Sequence, residues 1–455
     1  MKAQRKTAAF FGLLLFDVID QDALLRRLQF SGADLHTPER LRYRALALPA
    51  SRRLSYSALQ WVRSFVEQGG TIIGLKPTAP LGIIFARQQA GYTHIADDMW
   101  SGCTHGAARS NFGKGRIYCT QDAHAALQAM GVAPDFTYRL DGESGSVQKN
   151  VFDYVHGETA GADIYFVRNG LNRSVKATLS FRVCNRAPEF WMADDGSIAP
   201  VLVYREAKRR TDIPLTFPAM ESVFLVFDKP PAVHVTQIRR GDDEVYPSVR
   251  QGEGTFASGT SGFVALTPGT YQLTKSNGRS TRVIVGPIEP SALKLGPWTL
   301  SFPSGWGAPR SVPVGHFRSW TQWSDPGIRY FSGTATYHAV LRVPAGLIRP
   351  DRQIWLNLGK VREIASVSVN GSSAGTQWRA PFQVRIDRQL HAGDNEIAIQ
   401  VVNLWPNRII GDLQPSAKVQ YVRTNVRAYS ADSALLPSGL LEPVRVSVGE
   451  INSLR

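Results

Sequence analysis

The chain has 455 residues, 43% of them hydrophobic and 20% charged, with 40 glycines, 27 prolines and ten tryptophans. That length exceeds one small domain, and the glycine, proline and tryptophan content suits many short strands and turns rather than a helical bundle. The formal charge of +15 would draw anionic partners, but the basic residues are scattered through "LRRL", "SRRL" and "REAKRR" with no zinc-finger, RNP-like or helix-turn-helix spacing, so no nucleic-acid partner is expected.

Residues 1–40 read as an N-terminal segment. Its start, "MKAQRKTAAFFGLLLFDVID", imitates a secretory signal through a basic opening and a short apolar run, yet no small-x-small cleavage site follows before Asp17. No other stretch approaches the length of a membrane span, and a soluble protein without a membrane partner is expected. Residues 41–135 alternate strand and helix. In "SYSALQWVRSFVEQGG" Leu59, Val62 and Val66 share a helical face behind a serine cap and ahead of Gly69-Gly70. "TIIGL" and "GRIYC" read as strands, and "TQDAHAALQAMG" as a helix stopped by Gly131. This is the pattern of a small open α/β domain, flavodoxin- or amidotransferase-like in form, with parallel pairing.

Three cysteines allow at most one internal disulfide. Cys119 and Cys184 lie in strand-like runs and read as buried small hydrophobes. Cys103, with His105 nearby in "SGCTHGA", would need a hydrophobic strand leading into a sharp elbow to act as a nucleophile, and "IADDMWSG" does not supply one.

After Pro134 the pattern turns to strands. "ADIYFVRN", "KATLSFRVCN" and "SVFLVFD" predict a β-sandwich over 136–230, and the Gly/Ser/Thr-rich stretch 231–290 a minor β module. From 291 to 455 "TATYHAVLRV", "QIWLNLG", "ASVSVNG", "FQVRID" and "NEIAIQVVN" alternate at period two. Asn370-Gly371 marks a tight hairpin. The fold class is therefore multidomain and mainly β, with an antiparallel jelly roll at the end.

The residues between these strands carry a resemblance. "LNLGKVREIASVSVNGSSAGTQWRAPFQVRI", "GDNEIAIQVVNLWPNRIIGD" and "DSALLPSGLLEPVRV" resemble the C-terminal, galactose-binding-like jelly roll of glycoside hydrolase family 106, the α-L-rhamnosidases, a fold shared with the family 2 glycosidases. "GADIYFVRN" and "PEFWMADDGSIAP" resemble the sandwich before it, and "YRALALPASRRLS" and "GVAPDFTY" the small α/β domain that follows the family's catalytic barrel. The resemblance implies action on terminal α-L-rhamnosyl bonds. A barrel of this kind takes roughly 250 residues, and only residues 1–40 precede the α/β domain. The expectation is thus an accessory region needing a barrel from a separate catalytic chain. The alternative is a stand-alone carbohydrate-binding or assembly module without catalysis, and whether the chain is itself an enzyme stays open. A periplasmic or extracellular place follows from the resemblance alone.

Glycoside hydrolysis requires two carboxyl groups across the scissile bond. Asp325, Glu363, Asp394, Glu396 and Asp412 are available, but no periodicity pairs them, and "SDPG" makes Asp325 a turn-capping residue. No catalytic residue is assigned. His156, in "YVHGE", lies where the family often has His followed by Arg; Gly157 stands in the arginine position, and a satisfied loop histidine is the reading. No cofactor and no metal-ligand spacing is present, while a structural calcium held by loop carbonyls would leave no trace in sequence. For sugar, an aromatic face with planar polar groups is the relevant set. Trp405, Asn407, Arg408 and Asp412, with Trp378 and Arg379, form one such group, and Trp320, Trp323 and Arg329 a second. The ligand would be a rhamnose-containing poly- or oligosaccharide. Against this, Asn403 can bond backbone, Pro406 stiffens the turn, and Arg408 can pair with Asp412, so the segment is read as a loop clamp first.

Overall fold

The computed structural model describes residues 16–39, 41–103, 108–142, 151–194, 196–250, 252–256, 262–287, 293–425 and 428–454. It divides into two compact units, Met1–Thr137 and Tyr138–Arg455.

In the first unit, Ser55 caps the helix Tyr56–Glu67 by accepting the Ala58 N–H at 3.1 Å. The helix buries Leu59, Val62, Phe65 and Val66 against Ile72, Tyr92, Met99, Trp100 and Ile117. Strands Leu46–Ala47, Thr71–Ile73 and Gly115–Tyr118 pair in parallel, as alternation predicts, and Arg109–Phe112 closes the edge antiparallel. Gly115 is required by close approach: a Cβ there would lie 2.2 Å from the Val66 carbonyl oxygen.

The cysteine reading needs correction. Cys119 is joined to Cys103 in a disulfide with Cα atoms 5.7 Å apart, and Cys184 alone is free. The strand Gly115–Tyr118 brings Cys119 beside the loop after helix Ala86–Met99, a proximity that local sequence does not encode. The bond also removes Cys103 as a nucleophile; His105 lies outside the described residues. Closing a loop of 16 residues should stabilise the first unit by about 3 kcal/mol. Cys103→Ser is expected to lower its unfolding midpoint, and dithiothreitol should lower wild type to the same value while leaving the variant unmoved.

The second unit opens with two facing antiparallel sheets. One has the order Phe136–Leu140, Val175–Phe181, Arg210–Phe217, Arg205–Ala207; the other runs Phe152–Glu158, Asp163–Asn169, Ser222–Lys229, Ala187–Trp191, Ile198–Pro200. Inward positions are aromatic: Tyr165 meets Phe181 edge-on at 4.9 Å, and Phe152 meets Phe217 at 5.3 Å. His156 is on a strand, not in a loop. Its ring stacks on Tyr165 at 4.0 Å and its Nε2 lies 3.1 Å from the Asp163 carboxylate, which also accepts from Arg186 at 2.8 Å.

Next, Val235–Arg240, Asp243–Glu244, Gly269–Lys275 and Ser280–Val285 form a small sheet. The strand Gly262–Ala265 leaves that segment and pairs with Arg445–Ser453. It thereby completes a four-stranded sheet with Arg352–Asn357 and Gln383–Arg385. Opposite stands a larger antiparallel sheet in the order Ser311–Val314, Trp298–Ser301, Thr334–Val343, Gly393–Val402, Ile364–Val369, Ser372–Gln377. Ile397, Ile399 and Val401 are fully buried between the two while Glu396 and Gln400 face out, as the alternation requires. Asn370 and Gly371 take φ of 53° and 77°, the positive pair that a two-residue hairpin turn demands.

Candidate functional site

The strand Gly393–Val402 runs directly into the helix Pro406–Asp412. Proline at the first helical position sacrifices no hydrogen bond and starts the helix cleanly. Asn403 fixes the approach: its side chain accepts the Gly333 N–H and donates to the Phe331 carbonyl, each at 2.8 Å. Asn407 is buried and holds the segment 436–438. It accepts the Leu436 N–H at 2.8 Å and donates to the Leu436 carbonyl at 2.7 Å and to Ser438 Oγ at 2.8 Å. Ser438 in turn takes Ser319 Oγ as acceptor and returns its carbonyl to the Trp320 N–H, both at 3.0 Å.

Arg408 and Asp412 are a buried ion pair one helical turn apart, Nε to Oδ1 at 3.0 Å, although its alignment is not that of a hydrogen bond. The other Asp412 oxygen accepts the N–H groups of Tyr421 and Val422 at 2.8 Å, and the Arg408 guanidinium lies 4.8 Å above the Tyr421 ring. Gly411 must be glycine here, since a Cβ would sit 2.5 Å from Tyr330 and from the guanidinium. Asn407, Arg408 and Asp412 therefore lock loops together and face inward.

The aromatic candidates separate by exposure. Trp320 is wholly buried among Phe302, Phe331 and Tyr337 and donates its indole N–H to Tyr337 Oη at 2.7 Å, so neither of its faces reaches solvent. Burial pushes the Tyr337 phenol up to about 12. Trp323 is half-buried with the Arg318 guanidinium 4.7 Å over its ring. Arg329 is exposed beside Tyr330, at the end of a short helix that Asp325 caps through the Ile328 N–H at 3.1 Å. Trp405 and Trp378 are open, 72% and 59% exposed.

Arg379, next to Trp378, belongs to a cluster that the sequence did not reveal. Its guanidinium contacts Asp194 and Glu221, each at 2.7 Å, and Arg250 pairs with the same two carboxylates. Glu221 is fully buried. Asp194 and Glu221 come from the first sandwich, Arg250 from the segment after it, and Arg379 from the C-terminal sandwich. The four residues pin these parts of the second unit to one another. The other acids stay apart: Asp394 and Glu396 are surface residues, 3.9 Å from Arg342 and His338. Among the described residues, no group of three or more metal-ligating side chains occurs. A shallow cavity lined by His124, Leu127, Gln128 and residues 131–134 carries no carboxylate.

A small α/β unit followed by β-sandwiches, with Trp378 and Trp405 exposed past one end of a sheet, makes this a multi-module, mainly β protein. Residues 4–206 match the family model of glycoside hydrolase family 106, described as alpha-L-rhamnosidase; that span holds the motifs of the small α/β domain and of the following sandwich, and the jelly-roll motifs from Leu356 onward lie outside it. A rhamnosidase from Novosphingobium sp. PP1Y has a similar solved structure, with TM-score 0.74 and 31% identity, covering 96% of this chain and 36% of that one. A putative beta-glucuronidase of Formosa agariphila is 32% identical over 204 residues, 40% of this chain and 18% of that protein. The chain thus spans well under two thirds of either relative.

Proposed function

We propose that this chain is the glycan-supporting, non-catalytic portion of an α-L-rhamnosidase system, acting on terminal α-L-rhamnosyl bonds in plant or microbial glycans. The observation that carries this is the match of 96% of the chain to 36% of a rhamnosidase at 31% identity. A second support is the disposition of acids among the described residues. Asp412 is spent on backbone N–H groups and Arg408, Asp325 on a helix cap, and Glu221 is buried between two guanidiniums. None has the exposed, facing arrangement that glycoside cleavage requires. The acid and base would then come from parts that the relatives carry beyond the matched region.

The test is release of an aryl leaving group from an α-L-rhamnoside and, in parallel, from a β-D-glucuronide, with and without calcium. The 455-residue protein should release neither. Turnover of the rhamnoside would place an acid–base pair within this chain and overturn the supporting role. Turnover of the glucuronide alone would overturn the rhamnosyl reading.

A further inference from the structure

The outward face of the large C-terminal sheet carries its own pattern. Ala365, Val401 and Ala335 point into the core, so Ile364, Val402 and Thr334 form the neighbouring outward row in register. Trp378 is the residue after Gln377, the last of its strand, which pairs with Ala365, so its exposed ring lies at the same end of the sheet as Ile364 and Val402. The next outward row is Thr376, Ser366, Gln400, Thr336 and Ser301, and the Ser366 and Thr376 hydroxyls lie 2.8 Å apart on this face. Trp405 stands just past the end of the same sheet, where its carbonyl accepts the Ser332 hydroxyl at 3.2 Å.

We propose that this sheet end is a glycan-holding surface for a neutral oligosaccharide, with Trp378 and Trp405 as two stacking faces and the hydroxyl and amide row as the polar floor. The inference rests on the carbohydrate-active reading above and adds the ligand surface to it. Three features select the ligand. The two outward rows contain no charged side chain in a protein of net charge +15, so an acidic polymer gains nothing here that the rest of the surface does not offer more strongly. The exposed apolar residues Ile364 and Val402 are cross-strand partners and border a row of Thr, Ser and Gln, which suits the mixed C–H and hydroxyl faces of sugar rings better than the continuous apolar core of a protein interface. The strands carrying Trp378 and Trp405 are two strand spacings apart, about 10 Å across the sheet, a span for several linked rings and too wide for one.

Trp378 is also held ready. The adjoining Arg379 is anchored by Asp194 and Glu221 and sits 5.4 Å from the Trp378 ring, so the loop is ordered before any sugar arrives. Preorganisation of this kind removes part of the entropic cost of binding. At the other side, Ser332 donates to the Trp405 carbonyl and accepts the Arg408 N–H at 3.0 Å, fixing the backbone that carries the second ring.

The experiment is calorimetric titration of the 455-residue protein with a neutral rhamnan oligosaccharide, with polygalacturonate as the acidic comparison. Wild type should bind the rhamnan saturably. Trp378→Ala and Trp405→Ala should each weaken binding about tenfold and the double variant about a hundredfold, with thermal midpoints unchanged. Phe85→Ala, which removes an exposed aromatic ring elsewhere, should leave affinity as it was. Rhamnan binding that survives both tryptophan changes would overturn this surface while leaving the rhamnosyl reading intact. Binding of polygalacturonate in preference to rhamnan would overturn the neutral ligand. No binding of either would overturn the glycan surface, and the aryl-glycoside assay would still judge the family reading separately.

Discussion

Replacing Glu221 by Gln is expected to destabilise the second unit by about 3–5 kcal/mol, the usual cost of removing one partner from a buried ion pair. Glu221 is fully buried and its two oxygens meet Arg250 and Arg379, while one also accepts the Ser222 N–H at 3.0 Å. The amide would leave two guanidiniums facing only Asp194, which is partly exposed and already shared between them. Because the cluster ties three sequence segments together, urea unfolding should also change shape, with a separate early transition where wild type shows one. Asp194→Asn, at a more solvated position, should cost about 1 kcal/mol or less. A midpoint shift for Glu221→Gln no larger than that of Asp194→Asn would show that the cluster is decoration.

Asp412→Ala should be comparably severe, about 3–5 kcal/mol. It strands Arg408 without its counter-charge and leaves the Tyr421 and Val422 N–H groups without their acceptor. Trp405→Ala, seven residues earlier in the same segment, should change stability by about 0.5 kcal/mol or less because its ring is mostly in solvent. Thermal melts of the two variants side by side separate a clamp from a surface within one short stretch. Equal losses would mean that the Trp405 ring packs on something.

These two variants also show what could be read from sequence. The alternation in "NEIAIQVVN" and the turn at Asn370-Gly371 were legible because period and turn chemistry are local, and both signals point to the same strand partners. The clamp role of Asn403, Arg408 and Asp412 was legible because short polar side chains at a strand end have few other uses. Burial of individual tryptophans was not. Trp320 and Trp405 both sit in short polar loops, yet one lies beneath Gly439, whose φ of +89° and missing Cβ let the chain pass against the indole, and the other has no neighbour of that kind. The partners of Arg379 and Cys119 were equally hidden. Each is set by distant strands that converge only once the sheets are assembled.

The strand Gly262–Ala265 sews the chain in a way that matters for how it reaches its native state. It occupies the edge of a sheet whose next member, Arg445–Ser453, arrives only after the whole intervening sandwich has been made, so the sheet closes by one of the longest-range pairings in the molecule. Pairings of that kind are slow to form and leave hydrogen-bonding edges open meanwhile. A protein divided after residue 290 would keep such an edge permanently, with Val448 and Ile451 beside it, and is expected to self-associate through it. The practical unit for expression, and for inheritance as a module, therefore starts well before the C-terminal sandwich does.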